Sequence, residues 1–145
     1  MSLDQEIFCA NEEETLSFAE AFAPKVPRGT VLLLHGDLGA GKTSFARGFI
    51  RGLGVTEPVT SPTFTIVQEY PLPDLGFAYH IDLYRLENSD EAEGFGILDF
   101  LMDHDSFNLI EWPERGIELF NTLNQIDIFI RYDGVGRKIK IKTKS

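Results

Sequence analysis

The chain has 145 residues, 43% hydrophobic and 25% charged, which suits one globular domain over residues 1–145 and leaves no room for a second substrate domain. Its net charge of −10 makes it a poor partner for a polyanion, and its single cysteine, Cys9, excludes an internal disulfide and a thiolate zinc site. No apolar run reaches the length of a membrane span, and the acidic N-terminus lacks the apolar region of a secretory signal, so a cytoplasmic protein is expected.

In chain order, residues 6–9 read as a first strand. Asn11 is a good helix N-cap, and Glu12, Glu13 and Glu14 follow in the first turn, where the helix dipole favours acids. Leu16, Ala19, Phe22 and Ala23 lie on one face of that helix until Pro24 stops it. Residues 30–35 form a short apolar run suited to a buried strand. Phe45, Ala46, Phe49, Ile50 and Leu53 recur at helical spacing, and Gly54 is the residue expected just past that helix. Residues 64–70 and 77–83 read as two strands joined by a Pro-Asp-Leu-Gly turn, and residues 91–104 as one helix. Residues 107–112 read as a buried strand, Pro113 opens a short helix, and 125–132 with 137–143 form a hairpin around Asp133-Gly134. Alternation early and hairpins late predict an α/β fold, a mixed sheet flanked by helices with antiparallel hairpins added.

Between the second strand and the second helix lies Gly36-Asp-Leu-Gly-Ala-Gly-Lys-Thr43, a complete G-x-x-x-x-G-K-[ST] phosphate loop. Strand, glycine loop and helix stand in the order that motif requires, and they predict a P-loop NTPase-like sheet. Glycines let backbone N–H groups turn inward on phosphates, which also sit at a helix N-terminus. Gly36, Asp37, Leu38, Gly39, Ala40, Gly41, Lys42, Thr43 and Ser44 are therefore the expected nucleotide contacts. Lys42 is expected to reach the β- and γ-phosphates of ATP, and the Thr43 hydroxyl to ligate Mg²⁺.

Such a loop needs acidic partners for the metal and the attacking water. Two apolar segments end in carboxylates, residues 77–82 at Asp82 and residues 107–111 at Glu111. A carboxylate at the end of a buried strand is desolvated unless something pairs it, and a metal ion does so; the alternative is that each caps its strand or meets a base such as Arg85. Both are expected as catalytic and metal-site residues. In Ser61-Pro-Thr-Phe64, Thr63 would offer its hydroxyl near the γ-phosphate, or the segment is a plain proline turn.

Charge is unevenly spread. Arg137, Lys138, Lys140, Lys142 and Lys144 fall in the last nine residues, while residues 87–105 hold seven acids and no lysine or arginine. Such a basic tail could touch RNA, but alternation with Ile139 and Ile141 reads instead as a strand with one wet face, its lysines guarding a sheet edge. The acidic 87–105 segment is either a solvated face or a docking surface for basic residues of a partner.

Gly36–Thr43, Ser61–Phe64, His80-Ile-Asp-Leu-Tyr-Arg85 and Ile110-Glu-Trp-Pro113 together resemble, in order and spacing, the motifs of the bacterial TsaE family, formerly YjeE. The resemblance runs from the Glu-Glu-Thr15 helix to Arg137, and its later motifs are far more specific than the phosphate loop. It implies a Mg²⁺-dependent ATPase subunit of the machinery that makes N6-threonylcarbamoyladenosine at position 37 of tRNA. Its partners would be the TsaD and TsaB proteins, with tRNA met only indirectly, and its hydrolysis would be weak until a partner completes the site. By the same resemblance Thr43 and Glu111 would hold Mg²⁺, and Asp82 would either support the metal from behind its ligands or act as the catalytic acid, a division that spacing leaves open. Trp112 would shape the nucleotide pocket or the partner face, and Glu12 and Arg137 would touch the nucleotide. His80 reads equally as a core histidine or a site residue; His35, His104 and Cys9 read as structural. Two other classes remain, a small-molecule kinase with the same loop and a nucleotide-dependent binding module. A kinase needs a lid and clustered arginines, and here neither is evident in the sequence.

Overall fold

Val31 to Leu34 are wholly buried, as a strand covered on both faces must be, and everything else is arranged about this segment. The computed structural model describes residues 3–61, 66–94, 96–120 and 124–143. It contains β1 (Gln5–Cys9), α1 (Glu12–Phe22), β2 (Val31–His35), α2 (Lys42–Gly52), β3 (Val67–Pro71) and β4 (Phe77–Asp82). Next come α3 (Ser89–Gly94), α4 (Ile97–Leu101), β5 (Phe107–Glu111), β6 (Gln125–Asp133) and β7 (Gly136–Thr143). Short 3₁₀ helices cover Ala23–Lys25 and Pro113–Phe120.

The strands form one seven-stranded mixed sheet in the order β1-β7-β6-β2-β5-β4-β3. β6, β2, β5 and β4 run parallel; β3 and β7 run antiparallel to their neighbours, as does β1 to β7. α1 and α2 cover one face, over Leu32, Leu34, Leu109, Ile128 and Ile139. Phe22, Phe45 and Phe49 fill that layer, each worth about 1.5–3 kcal/mol on burial. The second face is covered over Val31, Leu33, Ile81 and Ile110, where Ile97, Leu101 and Phe120 pack.

α1 and α2 approach closely because Gly48 and Gly52 present no side chain. A Cβ at Gly48 would stand 2.4 Å from the Leu16 carbonyl oxygen, and one at Gly52 2.3 Å from that of Glu20. Asn11 caps α1 as expected, its Oδ1 accepting from Glu14 N at 2.9 Å.

Two expectations are corrected. The single helix over 91–104 is two short ones, α3 and α4, with Gly96 at φ 76° between them, a left-handed conformation no continuous helix accommodates. The basic strand is not an edge: β7 pairs with β6 on one side and β1 on the other, so β1 and β3 are the edges. Only the N-terminal strand's return to the sheet buries it, which local pattern does not reveal. The wet face stands, with Ile139 and Ile141 buried and Lys140 and Lys142 exposed. Of the Ser61–Phe64 expectation, residues 62–65, Thr63 among them, lie outside the described residues.

Candidate nucleotide site

β2 ends at His35 and the chain turns through the glycine loop into α2 at the carboxyl ends of the parallel strands, where open α/β sheets bind ligands. Gly39 (φ 80°) and Gly41 (φ 112°) hold left-handed backbone, which lets the loop curl before Lys42 starts the helix. Asp37 O accepts from Ala40 N at 3.0 Å, and Gly41 O from Phe45 N at 2.9 Å. Ala40 is buried, whereas Asp37, Leu38 and Gly39 are exposed.

Lys42 is 4% exposed, and its Nζ donates to Gly36 O at 2.7 Å. The same ammonium sits 3.3 Å from the centroid of the Trp112 ring, a close cation–π contact. Trp112 reaches it because its backbone is left-handed (φ 58°), unusual for a bulky residue and here placed directly after a strand-end acid. Tyr84 packs against the same indole, with ring centroids 4.9 Å apart. Burial pushes the Lys42 pKa below its ordinary value, against the pull of Glu111, Glu114, Asp82 and Asp37, in that order.

The two carboxylates expected from the sequence are neighbours. Asp82 at the end of β4 stands in register with Glu111 at the end of β5, and both are buried. Thr43 Oγ1 shares its hydroxyl between Glu111 Oε1 (3.1 Å) and Oε2 (3.0 Å). His80, with no exposed surface, donates from Nε2 to Glu111 Oε2 at 2.6 Å, since an ionised carboxylate can only accept. Its Nδ1 has no hydrogen-bond partner among the described residues. Asp82 Oδ1 accepts from Tyr84 N at 2.9 Å. Lys42, Thr43, Asp82, Glu111, Tyr84 and Trp112 line one cavity of about 290 Å³ beside the glycine loop.

A second hollow, of about 130 Å³, opens on the other side of the loop between Glu12, Ser44 and Arg137. Arg137 Nε donates to Ala40 O at 2.9 Å and Nη2 to Gly39 O at 3.4 Å, while Glu12 faces Arg47 at 3.6 Å. The structure thus brings Glu12, Arg137 and the loop together from three distant segments. His35 pairs with Asp127 at 2.8 Å and stacks on Phe129, Cys9 is buried, and His104 is exposed away from the cavity.

Among the described residues no three His, Cys, Asp or Glu side chains cluster as a self-sufficient metal site. A Mg²⁺ site of the phosphate-loop kind is built otherwise, from a hydroxyl, one carboxylate and the nucleotide's own phosphates. Thr43 and Glu111, already in contact, fit that donor set. The sequence alone assigns Tyr84 no role and leaves His80 open; both lie in the H-x-D-x-Y-R segment, at i+2 and i−2 from Asp82, and Tyr84 lines the cavity while the buried His80 reaches it through Glu111.

The family model "Threonylcarbamoyl adenosine biosynthesis protein TsaE" matches residues 9–139. A tRNA threonylcarbamoyladenosine biosynthesis protein TsaE of Borreliella burgdorferi is 37% identical over 131 residues, covering 90% of this chain and 94% of that protein. The protein of the same description from Haemophilus influenzae is 38% identical over 131 residues, covering 87% and 80%. The crystal structure of Bacillus subtilis YdiB superposes with a TM-score of 0.78 at 32% identity, covering 100% of this chain and 88% of that one. The fold is accordingly P-loop NTPase-like.

Proposed function

Because the chain belongs to the TsaE family of threonylcarbamoyl adenosine biosynthesis proteins, we propose that it is the ATP-binding and ATP-hydrolysing subunit required for tRNA N6-threonylcarbamoyladenosine modification. It works in the cytoplasm as one 145-residue domain, in a complex with the TsaD and TsaB proteins, and meets tRNA through them. The observation that carries this reading is the convergence of Lys42, Thr43, Glu111 and Asp82 on one cavity at the mouth of the glycine loop.

In the proposed complex the loop amides of residues 38–43 hold the β-phosphate and Lys42 leaves Gly36 O and Trp112 for the β- and γ-phosphate oxygens. Glu12, Ser44 and Arg137 border the hollow that takes the rest of the nucleotide, and Trp112 walls the phosphate end. Thr43 and Glu111 hold Mg²⁺, which when bound neutralises charge growing on the phosphates. Asp82 orients the attacking water, whose oxygen forms a bond to the γ-phosphorus as the bond to the β-phosphate oxygen breaks, giving ADP and inorganic phosphate. His80 holds the Glu111 carboxylate in place. Thr63, which lies outside the described residues, is assigned only the role of sensing the nucleotide state.

The kinase reading is not favoured, because no acceptor-phosphate clamp of clustered arginines lines either hollow; Arg137 stands alone there among the described residues. The test is the rate of phosphate release by the pure chain, with and without the TsaD–TsaB pair and tRNA. Acceleration by the pair and free inorganic phosphate as product support the ATPase reading. A phosphorylated metabolite as product overturns it.

A further inference from the structure

The sheet is covered unevenly. Over β2, β5 and β4 both faces are packed, but the second face of β1, β7 and β6 is covered by no element among the described residues. Two phenylalanines lie open on it, Phe8 at 51% and Phe129 at 40% exposure. Between them runs the outward row of β7, Lys138, Lys140 and Lys142, with Arg131 alongside on β6. A groove of about 510 Å³ follows this row and ends at Gly36 and Asp37, where the glycine loop begins.

The charge is out of keeping with the molecule. On a chain of net charge −10, four basic side chains line this groove against two acids, Glu6 and Asp37. Lys138 is taken by Glu6 at 3.3 Å. Lys140 and Lys142 make no ion pair among the described residues. They stand two residues apart on one strand, so their stems are about 6.6–6.8 Å apart. In register, Lys140 is opposite Phe129, and Phe129 is stacked on His35, which leads into Gly36. An extended chain carrying carboxylates at every second residue has the same repeat, with room for an apolar side chain over Phe129. A run of nucleic-acid phosphates fits less well, because Glu6 and Asp37 break the positive row and the remaining chain repels a polyanion.

We propose that this open face of β1, β7 and β6 docks an extended acidic segment of the protein partner, Lys140 and Lys142 receiving two carboxylates from one face of that segment and Phe129 an apolar side chain further along the same face. The proposal rests on the reading that the chain works with TsaD and TsaB. It has a consequence for the nucleotide site: the docked segment ends against Gly36, whose carbonyl is the one that holds Lys42 Nζ. Docking and release of Lys42 toward phosphate are thereby coupled through one peptide unit.

The experiment measures affinity for the purified TsaD–TsaB pair by calorimetry, using the full chain and the double variant Lys140→Glu/Lys142→Glu. ADP affinity serves as the check that the fold is kept, with Lys140→Ser/Lys142→Ser as the milder pair if the reversal fails it. Glu91→Lys/Glu93→Lys, on the exposed acidic α3, is the comparator. The expected result is at least a roughly tenfold loss for the lysine variants, shrinking between about 50 mM and about 500 mM salt, and little change for the comparator. Partner affinity unchanged in the lysine variants overturns the docking surface and leaves the ATPase reading intact. Loss of tRNA binding with partner binding kept makes the face a nucleic-acid surface and overturns it too. No binding of the wild-type chain to the pair brings down the functional reading and the docking surface with it.

Discussion

His80 Nε2 lies 2.6 Å from Glu111 Oε2, and Thr43 Oγ1 reaches both oxygens of that carboxylate, Oε2 at 3.0 Å and Oε1 at 3.1 Å. A residue of β4, a residue of β5 and the second residue of α2 are thus tied into one chain. Glu111 has little freedom left, because His80 and Thr43 both hold the carboxylate, and the residue lines the cavity beside the glycine loop. His80→Ala should free the carboxylate and strand it in a buried place. A lost hydrogen bond to a charged group costs about 1.5–3 kcal/mol, so thermal stability should fall. The informative readout is Mg²⁺: the concentration for half-maximal hydrolysis should rise, while ADP affinity in chelator stays near that of the wild type. His80→Gln, which keeps a donor, should recover part of the effect. Equal loss of nucleotide affinity with and without Mg²⁺ would count against a positioning role.

Lys42→Ala should weaken ATP binding by about 1.5–3 kcal/mol, the worth of a charge-assisted hydrogen bond, or roughly ten- to 150-fold. Calorimetry decides this, and unchanged affinity removes the phosphate-loop assignment. Glu111→Ala should instead weaken the metal more than the nucleotide.

Burial holds the Lys42 pKa below its ordinary value in the free chain, and a phosphate in contact raises it again. The bound form favours the protonated ammonium, so nucleotide affinity should be full at lower pH. It should fall as pH rises through the depressed Lys42 value, earlier than an ordinary lysine allows. Binding should take up protons over that window, seen as a dependence of the binding heat on the buffer. Lys42→Met should show neither.

Trp112, the one tryptophan, reports on the same movement. With Lys42 Nζ 3.3 Å from its ring centroid in the free chain, departure of the ammonium toward phosphate changes the surroundings of the indole. ATP should therefore change the intrinsic fluorescence of the wild type and leave that of Lys42→Met unchanged. A wild-type signal indifferent to saturating ATP would show that Lys42 keeps its place on the ring.

Gly48→Ala tests the fold rather than the site. Its Cβ would press on the Leu16 carbonyl at 2.4 Å, and backbone cannot turn aside as a side-chain end can. Overpacking of this kind costs about 1–3 kcal/mol, despite the better helix propensity of alanine. Denaturant unfolding should show the loss, and a stabilised variant would mean that α1 and α2 do not pack as described.

The sequence alone determined the elements whose signals are local. The phosphate loop is legible because the backbone conformation it needs demands glycines at set positions, and its lysine and threonine come with it. Strand ends at Asp82 and Glu111 were legible because an acid closing an apolar run is chemically out of place. Asn11 as a cap and the last hairpin followed from the same local rules. The break of helix 91–104 at Gly96 was not, since an isolated glycine is tolerated in many helices and only packing shows which way the chain turns.

What tertiary structure decided are the relations between distant segments. Residues 5–9 return to pair with β7, turning an expected edge into an interior strand and leaving a lysine-lined face uncovered. β4 and β5 align so that Asp82 stands opposite Glu111, and His80 reaches across to it; neither register nor strand order is written in any short window. The left-handed Trp112 folds its ring over a lysine 70 positions earlier. Local chemistry fixes which side chains are available, because turns, caps and strand runs depend on neighbours in the chain. Which of them meet depends on sheet order and on burial of two apolar faces, and those are properties of the whole chain.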